Sequence, residues 1–426
     1  MAISKKREKI ADGIYVTAIH DKKFNVNTIG IRFISKVDEK KASAYSLVTR
    51  MLQTTNSKYQ TRTKLTKELT RLYGAGISQS VFRLGDCQTF YLGANCICDR
   101  FALEGEDVTN RVVQILLDCI CSPNLVDGKF KESDFQIIKQ ELIDNINNKI
   151  NDKRSYAIDK ALNTVFENEP AGIPLDGTVD VLEKITCFDA FKEYQEMLKT
   201  SLIEITVAGG GDFDEIAALI KNRFSNIERE YVQENFVTLS PAKEQISEIS
   251  EEFDVLQCKM VLALKTDIKD PEQLKLFALM FGGLPSSKLF VNVREKLSLC
   301  YYCAANIIPE KGVMLIDSGV ESSNIEKAKN EILKQLNEMA NGNFTDEELE
   351  NAKTAVCGSL RSYNDTASGL ATWWLTQLCV WDREFSPEDA IEKYNSITRE
   401  EIIEAAKSYK LDTVYIMSGK EDGGAE

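Results

Sequence analysis

The chain has 426 residues, of which 43% are hydrophobic and 28% are charged. This composition is typical of a soluble globular protein and excludes a disordered chain, and the length indicates two or more domains. The formal net charge of −14 argues against nucleic-acid binding through bulk electrostatics. No apolar run reaches the roughly 18 to 20 residues that span a bilayer, and the basic N-terminus lacks the apolar segment of a signal peptide. We therefore expect a cytoplasmic protein that binds neither nucleic acid nor membrane.

Strands and helices follow each other in mixed order through the first half of the chain. Hydrophobic alternation predicts strands at 13–18, 26–34, 78–84, 89–96 and 202–207, of which the third and fourth form a hairpin. Helical spacing of apolar residues predicts helices at 41–54, 61–73, 108–121, 132–151, 188–198 and 212–224.

A polar, acidic stretch with little periodicity follows at 229–252. We interpret it as a linker, because it contains Ser240-Pro241 and several glutamates between two patterned regions. The linker divides the chain into an N-terminal domain at 1–228 and a C-terminal domain at 253–426.

The second half repeats the order of elements in the first. Strands are predicted at 258–264, 299–307, 313–320 and 413–417, and a helix at 324–341. Further helix starts are marked by Asp270-Pro271, Thr345-x-x-Glu348, Ser386-Pro387 and Thr398-x-x-Glu401. The matching order predicts a duplicated domain. Because strands and helices do not alternate strictly, the predicted class is α+β, with each domain a largely antiparallel sheet carrying helices on one face.

One stretch of the second half, from Gly282 to Tyr301, combines a turn, a helix and a strand. Gly282-Gly283 and Pro285 break the preceding helix, and Ser286 or Ser287 can cap the next one. Apolar residues then fall on one face at helical spacing, at Leu289, Phe290, Val293 and Leu297. The local pattern alone makes Arg294 a surface cation near a helix C-terminus.

Cysteines and histidines limit the possible chemistry. The eleven cysteines are odd in number and lie mostly in apolar runs, so we interpret them as reduced, mostly buried thiols, with no structural zinc site. Cys300-x-x-Cys303 is the one CxxC motif in the sequence, and in a regular strand its two sulfurs would point to opposite faces. His20 is the single histidine, so a mechanism that needs two histidines cannot be built from this chain alone.

Four segments in order carry a family resemblance. The first three are Ile205-Thr206-Val207-Ala208-Gly209-Gly210 with Phe224, Ser286-Ser287-x-Leu289-Phe290 followed by Arg294-Glu295-Lys296 and Tyr301, and Phe344-Thr345-Asp346-Glu347-Glu348-Leu349 with Ala352-Lys353; the fourth is Ile397-Thr398-Arg399-Glu400-Glu401-Ile402. Together they resemble the pitrilysin/insulinase-type metallopeptidase family, in particular its two-domain branch, which includes the mitochondrial processing peptidase subunits. The resemblance covers nearly the whole chain and keeps the family's seven-residue spacing from arginine to tyrosine at Arg294 and Tyr301.

The chain departs from the family at the zinc site, which uses an inverted H-x-x-E-H helix and a later glutamate. Ser46, Thr49 and Arg50 stand at the three motif positions. Glu141 corresponds to the distal glutamate, with a longer spacing than the family shows, or else is a solvated helix residue. Arg50 places a cation where the metal charge would lie and is able to pair with Glu141 instead. We therefore expect no zinc on this chain.

The arginine–tyrosine pair has a different implication. In active relatives it binds substrate carbonyls and helps to stabilise the oxyanion, and some relatives divide zinc and this pair between two subunits. The resemblance therefore implies a non-zinc, substrate-binding subunit of a heterodimeric zinc metallopeptidase. Arg294 and Tyr301 would act on a peptide or unfolded polypeptide at the zinc of a homologous partner subunit that carries H-x-x-E-H. The alternatives are a catalytically inactive peptide-binding or scaffold protein of the same fold, and a hydrolase with an unusual metal site.

Overall fold

The computed structural model describes residues 4–419, which divide into two compact units. The first unit contains residues 4–147, 173–235 and 362–384, and the second contains residues 148–172, 236–361 and 385–419. Within residues 4–419, no helix combines the length and the apolar composition needed to cross a bilayer. The cellular compartment stays a prediction.

A six-stranded sheet organises the first unit. Its strands are β1 (Ser4–Ala11), β2 (Ile14–His20), β3 (Val26–Lys36), β4 (Gly76–Leu84), β5 (Cys87–Ile97) and β8 (Leu202–Gly209). Their order is β1-β2-β8-β3-β5-β4, and the pairs are antiparallel except for β2 with β8. A separate small hairpin joins β6 (Leu125–Val126) to β7 (Lys129–Phe130).

Helices cover one face of this sheet. They are α1 (Glu39–Thr54), α2 (Arg62–Arg71), α3 (Val108–Cys121), α4 (Glu132–Asn148), α6 (Val179–Lys184), α7 (Cys187–Thr200) and α8 (Asp214–Phe224). Alternate strand residues such as Ile29, Ile31 and Phe33 point into the shared core and are fully buried. This alternation buries one side of each strand, because successive side chains point to opposite faces.

One helix from late in the chain also belongs to the first unit. Helix α12 (Ala367–Leu375) packs on the other face of the sheet, where Leu370 and Ala371 meet Ile19 and Ala208. Ile19 and Ala208 lie out of phase with the core residues of their strands, so they face α12.

A five-stranded sheet organises the second unit. Its strands are β9 (Ser247–Phe253), β10 (Cys258–Lys265), β11 (Cys300–Ile308), β12 (Val313–Val320) and β13 (Lys410–Gly419). Their order is β11-β12-β10-β13-β9, and the pairs are antiparallel except for β13 with β9. Strand β11 is therefore one edge of this sheet and β9 is the other.

The helices of the second unit include one from the first half of the chain. They are α5 (Lys153–Val165), α9 (Pro271–Ala278), α10 (Ile325–Ala340), α11 (Asp346–Tyr363), α13 (Pro387–Ser396) and α14 (Arg399–Ser408). Helix α5 packs on one sheet face, where Ala161 and Leu162 lie in a core with Val261 and Tyr415. Short π-helical segments follow α9 at Leu279–Gly283 and Leu289–Lys296.

The predicted α+β class with two largely antiparallel sheets packed with helices is confirmed. The structure adds one helix to a second face of each sheet. The compact units also differ from a division at 1–228, 229–252 and 253–426, because residues 148–172 and 362–384 pack with the other half of the chain. Residues 247–252, placed in the linker by sequence, form with Phe253 the edge strand β9, whose alternating exposure is that of a half-buried strand.

Candidate functional site

Helix α1 carries Ser46, Thr49 and Arg50, which the family resemblance places at the zinc-motif positions. It begins after Asp38, whose carboxylate accepts a hydrogen bond from the backbone of Lys41 at 2.7 Å and so caps the helix. Ser46 and Thr49 are fully buried. The Thr49 hydroxyl donates to the backbone carbonyl of Tyr45 at 2.7 Å, one helical turn earlier. Thr49 is therefore satisfied inside its own helix and presents no group to a ligand.

Ser46 and Arg50 share one carboxylate, that of Asp176. The Ser46 hydroxyl donates to Asp176 Oδ1 at 2.9 Å, and Arg50 Nη2 donates to the same oxygen at 3.2 Å. The Arg50 and Asp176 side chains are 23% and 14% exposed, so water screens this ion pair only in part. Ser46 and Arg50, two of the three residues matched to the zinc motif, thus form a salt-bridged cluster with Asp176.

The loop that carries Asp176 is held tightly against α1. Gly177 follows Asp176 with a φ of +71°, and a Cβ there would lie 1.8 Å from the Ser43 hydroxyl oxygen. The Ser43 hydroxyl accepts a hydrogen bond from the backbone of Thr178 at 3.2 Å. Only glycine permits this close approach with a left-handed backbone. Sequence reasoning missed Asp176; its one local signal is the Asp-Gly turn that precedes a helix.

Glu141 takes no part in this cluster. It lies on α4, its side chain is 48% exposed, and Arg62 Nη2 donates to it at 3.3 Å. The alternative pairing of Arg50 with Glu141 is wrong, because Asp176 occupies that position beside Arg50. The surroundings of Glu141 are those of a solvated helix residue.

The residues at the motif positions do not fit a zinc ion. Zinc sites are built from thiolate, imidazole and carboxylate ligands, whereas here two hydroxyls are engaged in hydrogen bonds and Arg50 contributes a positive charge. Across residues 4–419, no group of three or more His, Cys, Asp and Glu side chains is arranged to hold a metal. The single histidine lies at the end of β2, where its Nδ1 atom is hydrogen-bonded to the carbonyl of Gly211 and its ring meets Phe213 edge-on.

Arg294 is an exposed residue of the second unit, on the π-helical segment Leu289–Lys296. Leu289 and Val293 of this segment are fully buried and anchor it. The guanidinium of Arg294 lies over the ring of Phe290, 4.5 Å from its centre, and the structure gives it no ion pair within the described chain.

The helical segment differs from its predicted form in one residue. Leu297, predicted on the buried face, is 49% exposed. The physical reason is the wider π-helical winding, which shifts residues C-terminal to Val293 away from an α-helical stripe. Ser287 caps the segment as one of the two predicted candidates, since its hydroxyl accepts from the backbone of Phe290 at 3.4 Å.

Tyr301 lies at the start of edge strand β11 and is 57% exposed. Cys300 pairs with Val320 and Tyr302 pairs with Gly319, so Tyr301 is the extra residue of a β-bulge. Its hydroxyl donates to Glu321 Oε1 at 3.1 Å, and this hydrogen bond raises the pKa of Tyr301. Tyr301 is thus a neutral donor at pH 7 with a largely exposed side chain. Sequence reasoning did not find Glu321.

The fold and these two sites define a metallopeptidase-like protein whose zinc-binding side chains are replaced. A family model described as "Peptidase M16 inactive domain" matches residues 188–356. The protein "Probable inactive metalloprotease YmfF" of Bacillus subtilis (strain 168) is 26% identical over 415 residues, which are 96% of each chain. The predicted resemblance to the pitrilysin/insulinase-type family is confirmed: part of the chain matches the M16 inactive-domain model, and nearly the whole chain is similar to a protein named a probable inactive metalloprotease.

Solved structures share the fold of this chain. A conserved protein from Enterococcus faecalis V583 matches with a TM-score of 0.90 and 27% identity, covering 99% of this chain and 100% of that one. A "peptidase M16 inactive domain" from Pseudomonas fluorescens matches with a TM-score of 0.80 and 17% identity, covering 97% and 98%. The "inactive" names agree with the replacement of the zinc ligands on α1.

Proposed function

We propose that this chain is the non-zinc, substrate-binding subunit of a heterodimeric zinc metallopeptidase. Arg294 and Tyr301 would bind carbonyl groups of a peptide substrate and the oxyanion formed at the zinc of a homologous partner with an H-x-x-E-H motif. The observation that carries the proposal is a contrast between two sets of residues. The residues matched to the zinc motif form a salt-bridged cluster, whereas Arg294 and Tyr301 stay exposed.

The two residues suit this role chemically. An arginine is a fixed cation with several donors, and a tyrosine is a neutral donor at pH 7. Both can donate to a carbonyl oxygen, and both favour an oxygen that gains negative charge. Strand β11 is an edge of its sheet, so backbone groups beside Tyr301 are available to an extended peptide that adds as a strand.

Reconstitution with a partner tests the proposal. The chain should co-purify with a protein of similar size that contains H-x-x-E-H, and the mixture should cleave peptides that neither chain cleaves alone. In that mixture Arg294→Ala should lower the turnover rate about 100-fold or more, the usual effect of losing one oxyanion donor. Lys296→Ala is the matched control, because Lys296 is an exposed cation on the same segment and donates to Asn292 of its own turn. Equal turnover for the Arg294→Ala and wild-type mixtures would contradict the proposal.

One observation favours a second candidate, a catalytically inactive peptide-binding or scaffold protein. The Tyr301 hydroxyl already has an acceptor within its own unit, Glu321, and a residue so engaged can have a structural role. In that case the chain would bind extended peptides without cleavage and without a peptidase partner. Isolation as a stable monomer or homodimer, with peptide affinity unaffected by Tyr301→Phe, would favour this candidate.

A further inference from the structure

The β-bulge at Tyr301 overturns the expectation for Cys300 and Cys303. In a regular strand the two would point to opposite faces, but the register shifts by one residue between Cys300 and Tyr302. Cys300 therefore pairs with Val320 and Cys303 with Ser318, two positions that lie on the same face of β12. The expectation of opposed sulfurs is wrong because the bulge adds one residue between them.

The same shift shortens the span between the two cysteines. Three residues of regular strand cover about 10 Å, whereas two register positions cover about 6.6 Å. The second value is close to the upper limit of the roughly 4.4–6.8 Å that separates Cα atoms in disulfides. A bond between these sulfurs therefore needs a small tightening of the bulge. Tyr301 is the residue inside that bulge.

The register places both cysteines on one face of β11, and both are buried, with 8% and 5% of Cys300 and Cys303 exposed. Hydrogen bonding from Cys303 lowers the pKa of Cys300, and the charge of Arg294 acts in the same direction. The hydrogen bond and burial raise the pKa of Cys303, with a contribution from Asp317. Cys300 is thus the better nucleophile and Cys303 the proton donor.

We infer that Cys300 and Cys303 form a redox-active dithiol that closes to an intrastrand disulfide across the Tyr301 bulge. Two other cysteines bond to partners that are not thiols: Cys96 donates to Thr109, and Cys98 lies within hydrogen-bonding distance of Asn27 Oδ1 at 3.1 Å. The dithiol rests on the register of Cys300 and Cys303 and on their burial, and it does not depend on a partner subunit.

Hydrogen peroxide is an oxidant that balances the reaction. The Cys300 thiolate attacks one peroxide oxygen, the O–O bond breaks, and hydroxide leaves, so that Cys300 becomes a sulfenic acid. The Cys303 sulfur then attacks the Cys300 sulfur and displaces the hydroxyl group. That group leaves as water with the proton of the Cys303 thiol. In sum two thiols lose two electrons and two protons, and one peroxide becomes two waters.

The disulfide would act on Tyr301. Closing the bond tightens the bulge and moves the Tyr301 side chain away from its position beside Glu321. This consequence rests on the proposed function, in which Tyr301 donates to the substrate. Oxidation of the dithiol then lowers the turnover of the subunit pair, and a dithiol reductant restores it.

The test begins with the isolated full-length chain in hydrogen peroxide. Before alkylation, the mass of the chain should fall by two hydrogen atoms. After denaturation and alkylation, the number of reactive thiols should fall by two from the eleven of the sequence. Peptide mapping should join Cys300 to Cys303, and dithiothreitol should reverse the change. Cys300→Ser and Cys303→Ser should each abolish the crosslink, whereas Cys357→Ser, a buried control in the same unit, should keep it.

Two outcomes overturn the inference. One is oxidation of Cys300 beyond the sulfenic acid while Cys303 stays fully alkylated; the other is a disulfide that joins different cysteines. Neither result depends on a partner, so both are distinct from a failure of the proposed function. If the crosslink forms but the turnover of a reconstituted pair is unchanged, the link between the disulfide and Tyr301 is wrong.

Discussion

Replacing Asp176 by alanine should destabilise the first unit by about 2–3 kcal/mol. The change removes an acceptor that holds Ser46 at 2.9 Å and Arg50 at 3.2 Å. Both bonds end on a carboxylate, and a hydrogen bond to a charged group contributes about 1.5–3 kcal/mol. The two contributions do not add fully because they share one oxygen. Water also compensates in part, since the Arg50 side chain is 23% exposed.

Tryptophan fluorescence provides the assay. The three tryptophans of the chain, Trp373, Trp374 and Trp381, all belong to the first unit, so a urea titration followed by their emission reports on that unit. Glu141→Ala is the matched control, because its exposed ion pair with Arg62 should contribute less than about 1 kcal/mol. If Asp176→Ala lowers the free energy of unfolding by no more than Glu141→Ala does, the cluster does not hold α1 in place.

Three further predictions follow from the structure. Leu370→Ala removes a fully buried side chain from the contact of α12 with the first sheet. It should lower the free energy of unfolding by about 2–5 kcal/mol in the same fluorescence assay. A free energy of unfolding equal to that of Glu141→Ala would contradict that packing. Glu321→Gln removes the acceptor that favours neutral Tyr301, so the pKa of Tyr301 should fall toward its ordinary value. Tyrosinate absorbance, taken as the difference from Tyr301→Phe, should then appear at lower pH, and an unchanged titration would contradict the hydrogen bond. Metal analysis of the purified chain after incubation with zinc should find far less than one ion per chain, and stoichiometric zinc would contradict the account of Ser46 and Arg50.

Local signals were sufficient for much of the fold. The predicted capping boxes are confirmed: Thr345 and Glu348 exchange hydrogen bonds at 2.7 and 3.1 Å, and Thr398 forms the same box with Glu401. Asp270-Pro271 also opens a helix as predicted. Such signals act within one turn of chain, so they can be recognised in sequence without knowledge of distant neighbours.

The missed elements depend on contacts that are distant in sequence. Strand β1 was not predicted, because its charged run from Lys5 to Lys9 lacks hydrophobic alternation and it lies at a sheet edge, where it contributes little to the core. Asp176 meets Ser46 across 130 residues, and no local pattern encodes that pairing. The position of Cys303 relative to Cys300 is set by the register of β11 on β12, which a strand pattern alone does not specify.

The most direct measurement of the proposed function is the turnover of the reconstituted subunit pair with Tyr301→Phe in this chain. The substitution removes one exposed hydroxyl and leaves the ring in place. Tyr302→Phe is its control, because Tyr302 is the neighbouring tyrosine and lies under Arg154, 4.5 Å from its guanidinium. We predict that Tyr301→Phe lowers the turnover rate about 100-fold or more while Tyr302→Phe leaves it within a few-fold of wild type. Equal turnover for the two variants would contradict a catalytic contribution from this chain.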